Sequence, residues 1–251
     1  MSGVELYVGT SGYSYEHWKQ GVFYPPGLKN SQMLEYYLQY FNAVELNVTF
    51  YRTPDEDVFK SWYKRTPADF RFVVKGPRVI THLKKLNDCA ASLKIFMDRA
   101  ANLKEKLILI LWQFPARFKY DESKLFGFLK ELNKGKAKKF LHAFEFRDAG
   151  WFNNKVSSML KKYNFCFCFA DSPSWPGSKE ITADYLYLRF HGGKILYGSE
   201  YSAQELKEWV KRVRSWVDNY QINKIFAFFN NDSYGFAVKN ALSFKKLLVE
   251  Y

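Results

Sequence analysis

A single α/β domain folded as a (β/α)8 TIM-type barrel is the architecture that three observations on this 251-residue chain predict. Eight short runs of apolar, β-branched and aromatic residues recur along it, nearly continuous in the way of strands buried on both faces. Between most of them lie segments with helical periodicity. No low-complexity linker or shift in composition divides residues 1–251, so one domain is expected over the whole length. An open doubly wound sheet is the competing architecture. Against it, the first run leads into Gly9-Thr10-Ser11-Gly12 rather than a GxGxxG turn opening a helix.

In chain order the strand runs are 6–12, 43–50, 71–77, 107–114, 141–148, 165–171, 185–192 and 224–232. Residues 31–41 place Met33, Leu34, Tyr37, Leu38 and Phe41 at helical spacing, and Asp55 is positioned to cap a helix carrying Val58, Phe59 and Trp62. Helices are also expected over 89–103, 121–132 and 156–163. Residues 202–220 open with Ser-Ala-Gln-Glu, a capping box, and repeat Leu206, Trp209, Val210, Val213 and Val217 on one face. A last helix is expected over 237–248, while 172–184, with two prolines, reads as a loop.

Apolar residues make up 47%, too many for a disordered chain, yet no run approaches the ~18 residues of a membrane span. The start, MSGVELYVGTSG, has no basic region followed by a long apolar stretch. A soluble cytoplasmic protein without a membrane partner is expected. Cys89, Cys166 and Cys168 lack a second pair to complete a zinc or cluster site and read as core thiols. The net charge of +13 favours an anionic partner, nucleic acid included. However, the lysine-rich stretches 134–139 and 207–214 resemble solvated helix faces and loop tips. Nothing in the chain specifies an oligomeric state.

Strand parity locates the polar residues. If the second run is a strand through Phe50, then Val44, Leu46, Val48 and Phe50 face the helices, and Glu45, Asn47 and Thr49 face the barrel axis. In the fifth run Glu145 and Arg147 share one side, and in the seventh Tyr187, Arg189 and His191 do. The remaining runs contribute Lys75, Gln113, Asp171 and Asn230-Asn231-Asp232. Most of these lie late in their strands, and the carboxyl-terminal mouth is where barrels carry their chemistry. Glu45, Lys75, Glu145, Arg147, Asp171, Arg189 and His191 are therefore expected to converge on one cavity. The structural alternative is a compact ion pair, such as Glu145 with Arg147.

The blocks Val8-Gly-Thr-Ser-Gly-Tyr13, Glu45-Leu-Asn-Val-Thr-Phe-Tyr-Arg52, Phe72-Val-Val-Lys75 with Thr81-His82, Leu111-Trp-Gln-Phe-Pro115, His142-Ala-Phe-Glu-Phe-Arg147, Ala170-Asp171, Tyr187-Leu-Arg-Phe-His-Gly192 and Phe229-Asn-Asn-Asp232 carry a resemblance. Taken in order over nearly the whole chain, they resemble the YecE-like family, domain of unknown function 72. The resemblance implies a (β/α)8 barrel and brings no settled activity. An analogy of shape to barrel endonucleases suggests nucleic acid. Val48 and Gly76 depart from the family's usual small hydroxyl residue and alanine, and neither change removes a polar group.

The chemistry is narrowed by what is missing. Glycoside hydrolysis needs paired carboxylates, which in the large group of barrel glycosidases come from strands four and seven; here those offer Gln113 and Arg189 with His191. A polynuclear zinc site needs many histidines. His17 and His142 lie away from the strand ends, leaving His82 and His191 amid competing cations. No metal and no cofactor is expected. Anion binding fits better: Lys75, Arg147, Arg189, Arg52 and Arg78 supply cations. The Gly192-Gly193 loop and the helix after Asn230, Asn231 and Asp232 are expected to offer free N–H groups to a phosphate or carboxylate.

Glu45 or Glu145 is the candidate base and His191 or His82 the candidate acid, with Asp171 in the same set. Asn47, Tyr51 and Gln113 complete the candidate ligand contacts; Tyr13, Tyr51, Trp112, Trp151 and Trp175 are candidate stacking walls, although core packing explains any single aromatic as well. The reading is a barrel that binds a small anionic ligand and, if catalytic, acts as a metal-independent hydrolase or lyase. A nucleic-acid-binding or endonuclease-like protein is the alternative, and a non-catalytic ligand-binding barrel the second.

Overall fold

Nine strands carry the fold among the residues that the computed structural model describes, 3–250. They are β1 (Glu5–Thr10), β2 (Ala43–Leu46), β3 (Arg71–Lys75), β4 (Leu107–Gln113), β5 (Leu141–Glu145), β6 (Cys166–Phe167), β7 (Phe169–Asp171), β8 (Tyr185–Phe190) and β9 (Lys224–Phe229). They form two parallel sheets, one ordered β1-β9-β8-β7 and one ordered β2-β3-β4-β5-β6. The fold is α/β, as the alternation of runs and helices predicts.

Two strands differ from expectation. The sixth run breaks at Cys168, giving β6 and β7 in different sheets instead of one strand. Cys168 makes the last rung on β5, its N–H donating to Phe144 O at 2.9 Å, and from Phe169 the chain pairs with β8. The second run stops at Leu46, and Val48–Tyr51 forms a short helix, α2, where a strand through Phe50 was expected. Thr49 is the local cause. Its hydroxyl lies 2.8 Å from Leu46 O and 2.6 Å from Lys75 O, so a side chain bonds backbone where a continuing ladder would.

The other α-helices are α1 (Met33–Tyr37), α3 (Glu56–Lys64), α4 (Ala90–Ala100), α5 (Glu122–Leu132), α6 (Asn154–Lys162), α7 (Ala203–Asn219) and α8 (Phe236–Glu250). Ser202 and Glu205 form the expected capping box of α7, and Asp121 caps α5 by accepting from Lys124 N at 3.0 Å. Asp55 stands at the start of α3 without a capping bond; its carboxylate pairs with Arg99 at 3.1 Å. The helix expected over 89–103 ends at Ala100 and continues as a 3-10 segment, Ala101–Lys106. Residues 172–184 contain no helix, as their prolines predict. No helix among the described residues is long and apolar enough to cross a membrane.

The chain divides into two compact units. One holds the described residues up to Glu45, Phe169–Gly177 and those from Asp184 onward; the other holds Leu46–Cys168 and Ser178–Ala183. In the first, Phe190 and Phe229 stack with centroids 4.3 Å apart, and Phe244 of α8 packs edge-on against both at 5.2 and 5.7 Å. Gly9 lets β1 lie close to the start of β2, since a Cβ there would sit 2.1 Å from Ala43 O. In the second, the buried Trp112 packs on Phe96 and Phe128.

Candidate functional site

In the first unit the register of β8 with β9 and β1 puts Tyr187, Arg189 and Phe228 on one face of the sheet. Glu45 meets that face. Arg189 Nη2 and Nε donate to Glu45 Oε1 and Oε2 at 2.6 and 2.9 Å, a two-pronged pair. Ser11 Oγ donates to Oε1 at 2.7 Å and Tyr187 Oη to Oε2 at 2.5 Å. Both partners of the ion pair are buried. Burial raises the Glu45 carboxyl, but the Arg189 charge and the bonds from Arg189, Tyr187 and Ser11 outweigh it and hold the group below its ordinary value. Each carboxylate oxygen already accepts two donors. A carboxylate so saturated makes a poor general base, and Arg189 spends at least two of its donors on it.

Asp171 pairs in register with Phe190, so it lies on the opposite face from Arg189. Its Oδ2 accepts from Trp209 Nε1 on α7 at 3.0 Å. That places it toward the helices rather than beside Arg189, because β7 begins at Phe169 and sets its own parity. His191 is buried, with Asn230 Nδ2 3.2 Å from its Nδ1 and the half-buried Trp175 5.1 Å away, centroid to centroid.

Several donors of the loops after β8 and β9 bond within those loops or to the residues beside them. Gly192 N donates to Tyr201 Oη at 3.0 Å, and Lys194 N and Ile195 N both donate to Ser199 Oγ at 3.1 Å. Gly192 has φ +94°, and a Cβ there would sit 2.4 Å from Ile195 O, so turn geometry explains this glycine. Before α8, Ser233 N donates to Tyr197 O and Gly235 N to Asp232 O. Asn231 is buried and donates to Ser199 O and Asn240 Oδ1, tying the loop to α8. Asp232 accepts from Trp18 Nε1 at 2.7 Å and contacts the exposed His17 at 2.9 Å; burial pushes its carboxyl up to about 6.

In the second unit the registers of β3, β4 and β5 put Lys75, Gln113 and Glu145 on one face and Trp112 and Phe144 on the other. Glu145 is buried and accepts from Arg147 Nε at 2.8 Å; Arg147 keeps 16% of its side chain exposed. Gln113 donates to Phe114 O at 2.6 Å. After β3 the chain makes a π-helical turn, Val79–Leu83, which presents His82. Phe50 from α2 joins the group: Lys75 Nζ lies 4.1 Å above its ring, and His82 packs edge-on at 4.8 Å. Burial first, then the charges of Lys75, Arg147 and Arg78, push His82 down to about 4. At neutral pH it is an uncharged imidazole, its Nδ1 2.9 Å from Thr81 Oγ1. An anion beside it is attracted by three cations.

The other candidates are placed as follows. Arg52, Tyr51 and Gly193 are exposed, and Asn47 and Tyr13 are half-buried. Trp112 and Trp151 are wholly buried and are core, Trp151 stacking on Phe146 at 4.5 Å. His142 is also core, between Trp112 Nε1 and Ala137 O. Sequence reasoning missed Ser11, Phe50, His17 and Trp18. Tyr187 had a visible signal, its shared parity with Arg189. Phe50 had none, because only the helical turn at Val48 rotates it toward Lys75.

The pattern of the family described as "Protein of unknown function DUF72" matches residues 7–251. The chain belongs to the DUF72 family. Within that family it is 27% identical to UPF0759 protein YunF of Bacillus subtilis over 98% of this chain and 96% of that one. It is 32% identical to UPF0759 protein YecE of Escherichia coli K12 over 45% of this chain and 39% of that protein. A crystal structure of a DUF72 family protein from Thermotoga maritima superposes with a TM-score of 0.85 at 35% identity, covering 98% of this chain and 99% of the other. One from Enterococcus faecalis gives 0.81 at 21% identity, covering 97% and 95%, a likeness of fold alone.

Proposed function

We propose that this DUF72 protein binds a small phosphorylated or carboxylated molecule at the group formed by Lys75, His82, Arg147 and Arg78. The observation that carries the reading is His82: a half-buried imidazole on which three cations act together. Such a field favours an anion and disfavours a metal ion, which would compete with those cations for Glu145. We assign the site to the carboxyl-terminal mouth of a (β/α)8 barrel, the architecture implied by alternating strands and helices.

The chemistry this group supports is acid–base work on an anionic substrate, of hydrolase or lyase type. A bound dianion offsets the cations and raises His82 toward its ordinary value, so the imidazole gains a proton to donate once the substrate is in place. Lys75 and Arg147 stabilise negative charge as it develops.

The test is an NMR titration of His82 with and without inorganic phosphate. The expected result is a pKa near 4 in the free protein that rises by at least about one unit with saturating phosphate. Lys75→Ala and Arg147→Ala should each weaken phosphate about tenfold or more. A His82 titration indifferent to phosphate at millimolar concentration overturns the reading.

A further inference from the structure

We propose that the anion bound beside His82 carries a planar aromatic group lying against Tyr51, so that the ligand class is an aromatic phosphate monoester; this rests on the anion-binding reading above. Two short turns frame the cationic group, α2 and the π-helical turn Val79–Leu83, and they meet where Phe50 packs on His82. Both leave large apolar side chains in water: Val48 at 49%, Tyr51 at 72% and Leu83 at 63% exposure. A grouping of exposed apolar side chains next to a polar site marks a binding surface more often than isolated ones do.

The turn is also built to hold Tyr51 in place. Thr49 anchors α2 through two backbone carbonyls, and the Tyr51 ring stands at 86° to Phe50 with centroids 5.1 Å apart. A tyrosine, with only two side-chain torsions to order, offers a face to a ring at small entropic cost. Charge complementarity commits the occupant to an anion: Lys75, Arg147 and Arg78 act on His82, and Arg52, exposed, follows Tyr51 in the chain. Phosphate on the cations and a ring on Tyr51 then belong to one molecule.

Calorimetric titration of the full chain with methyl phosphate and phenyl phosphate tests this. Phenyl phosphate should bind at least about fivefold more tightly, the range expected of one aromatic contact. Tyr51→Ala should abolish the preference, so that the variant binds phenyl and methyl phosphate with equal affinity, while Tyr51→Phe should retain it. Equal binding of the two phosphates, or a preference that survives Tyr51→Ala, overturns this inference and leaves the anion site standing. Failure of both phosphates to bind at millimolar concentration overturns the anion site and this inference with it.

Discussion

Two carboxylate–guanidinium pairs, one in each compact unit, are made from the same chemistry and are suited to different work. Glu45–Arg189 is sealed, with side-chain exposures of 0% and 1%, and Ser11 and Tyr187 complete the bonds to the carboxylate. Glu145–Arg147 joins a buried carboxylate to a partly exposed guanidinium through Arg147 Nε, in a unit where Lys75 and Arg78 also act on His82. In the sealed pair both carboxylate oxygens are already engaged. The partly open, cation-rich group is the one proposed above to take a ligand, so the two pairs differ in exposure although both stand at strand ends.

The largest expected effect tests the sealed pair. Arg189→Ala strands a buried carboxylate and should lower unfolding free energy by about 3–5 kcal/mol in urea denaturation. Replacing both partners, Glu45→Gln with Arg189→Met, should recover most of that loss. A mild effect of Arg189→Ala, no larger than that of Arg147→Ala, would erase the distinction between the two pairs.

Arg147→Ala comes next, expected to cost about 1.5–3 kcal/mol of stability, the scale of a hydrogen bond to a charged group. Its signature is the accompanying loss of phosphate affinity. Arg189→Ala should show no such loss when measured at a temperature where it is folded.

The smallest effect is in pH dependence. His82 is held near 4 in the folded protein against about 6.5 when unfolded, so between those values the unfolded chain binds more protons. Stability should therefore fall as pH drops from about 6.5 toward 4, and His82→Gln should remove that part of the slope. His142, buried and also held near 4, adds a slope of the same sign. Asp232, raised to about 6, adds one of opposite sign between its unfolded value near 3.8 and 6. Both remain in His82→Gln, so the difference between the two proteins isolates His82. Parallel pH profiles for parent and variant would show that His82 is not held below its ordinary value.

Strand and helix positions were largely legible in the chain, because continuous apolar runs and helical spacing are local properties. The capping box at Ser202 and the loop at 172–184 follow from a few adjacent residues. Glu145 lies on the face opposite Phe144, as strand parity expects, which needs only an unbroken strand. Parity misled where the strand stopped. Thr49 ends β2 by reaching Lys75 O, 26 residues away, and the break at Cys168 reverses the face expected of Asp171. Nor does any local pattern reveal that Arg189 is held by Glu45, 144 residues distant, or that Ser199 fills the turn after β8. By itself the sequence determined most of the strand and helix segments and which residue types stand near their ends. Tertiary structure decided which of those charges are sealed and which keep some exposure, because burial and pairing depend on groups brought together from distant parts of the chain.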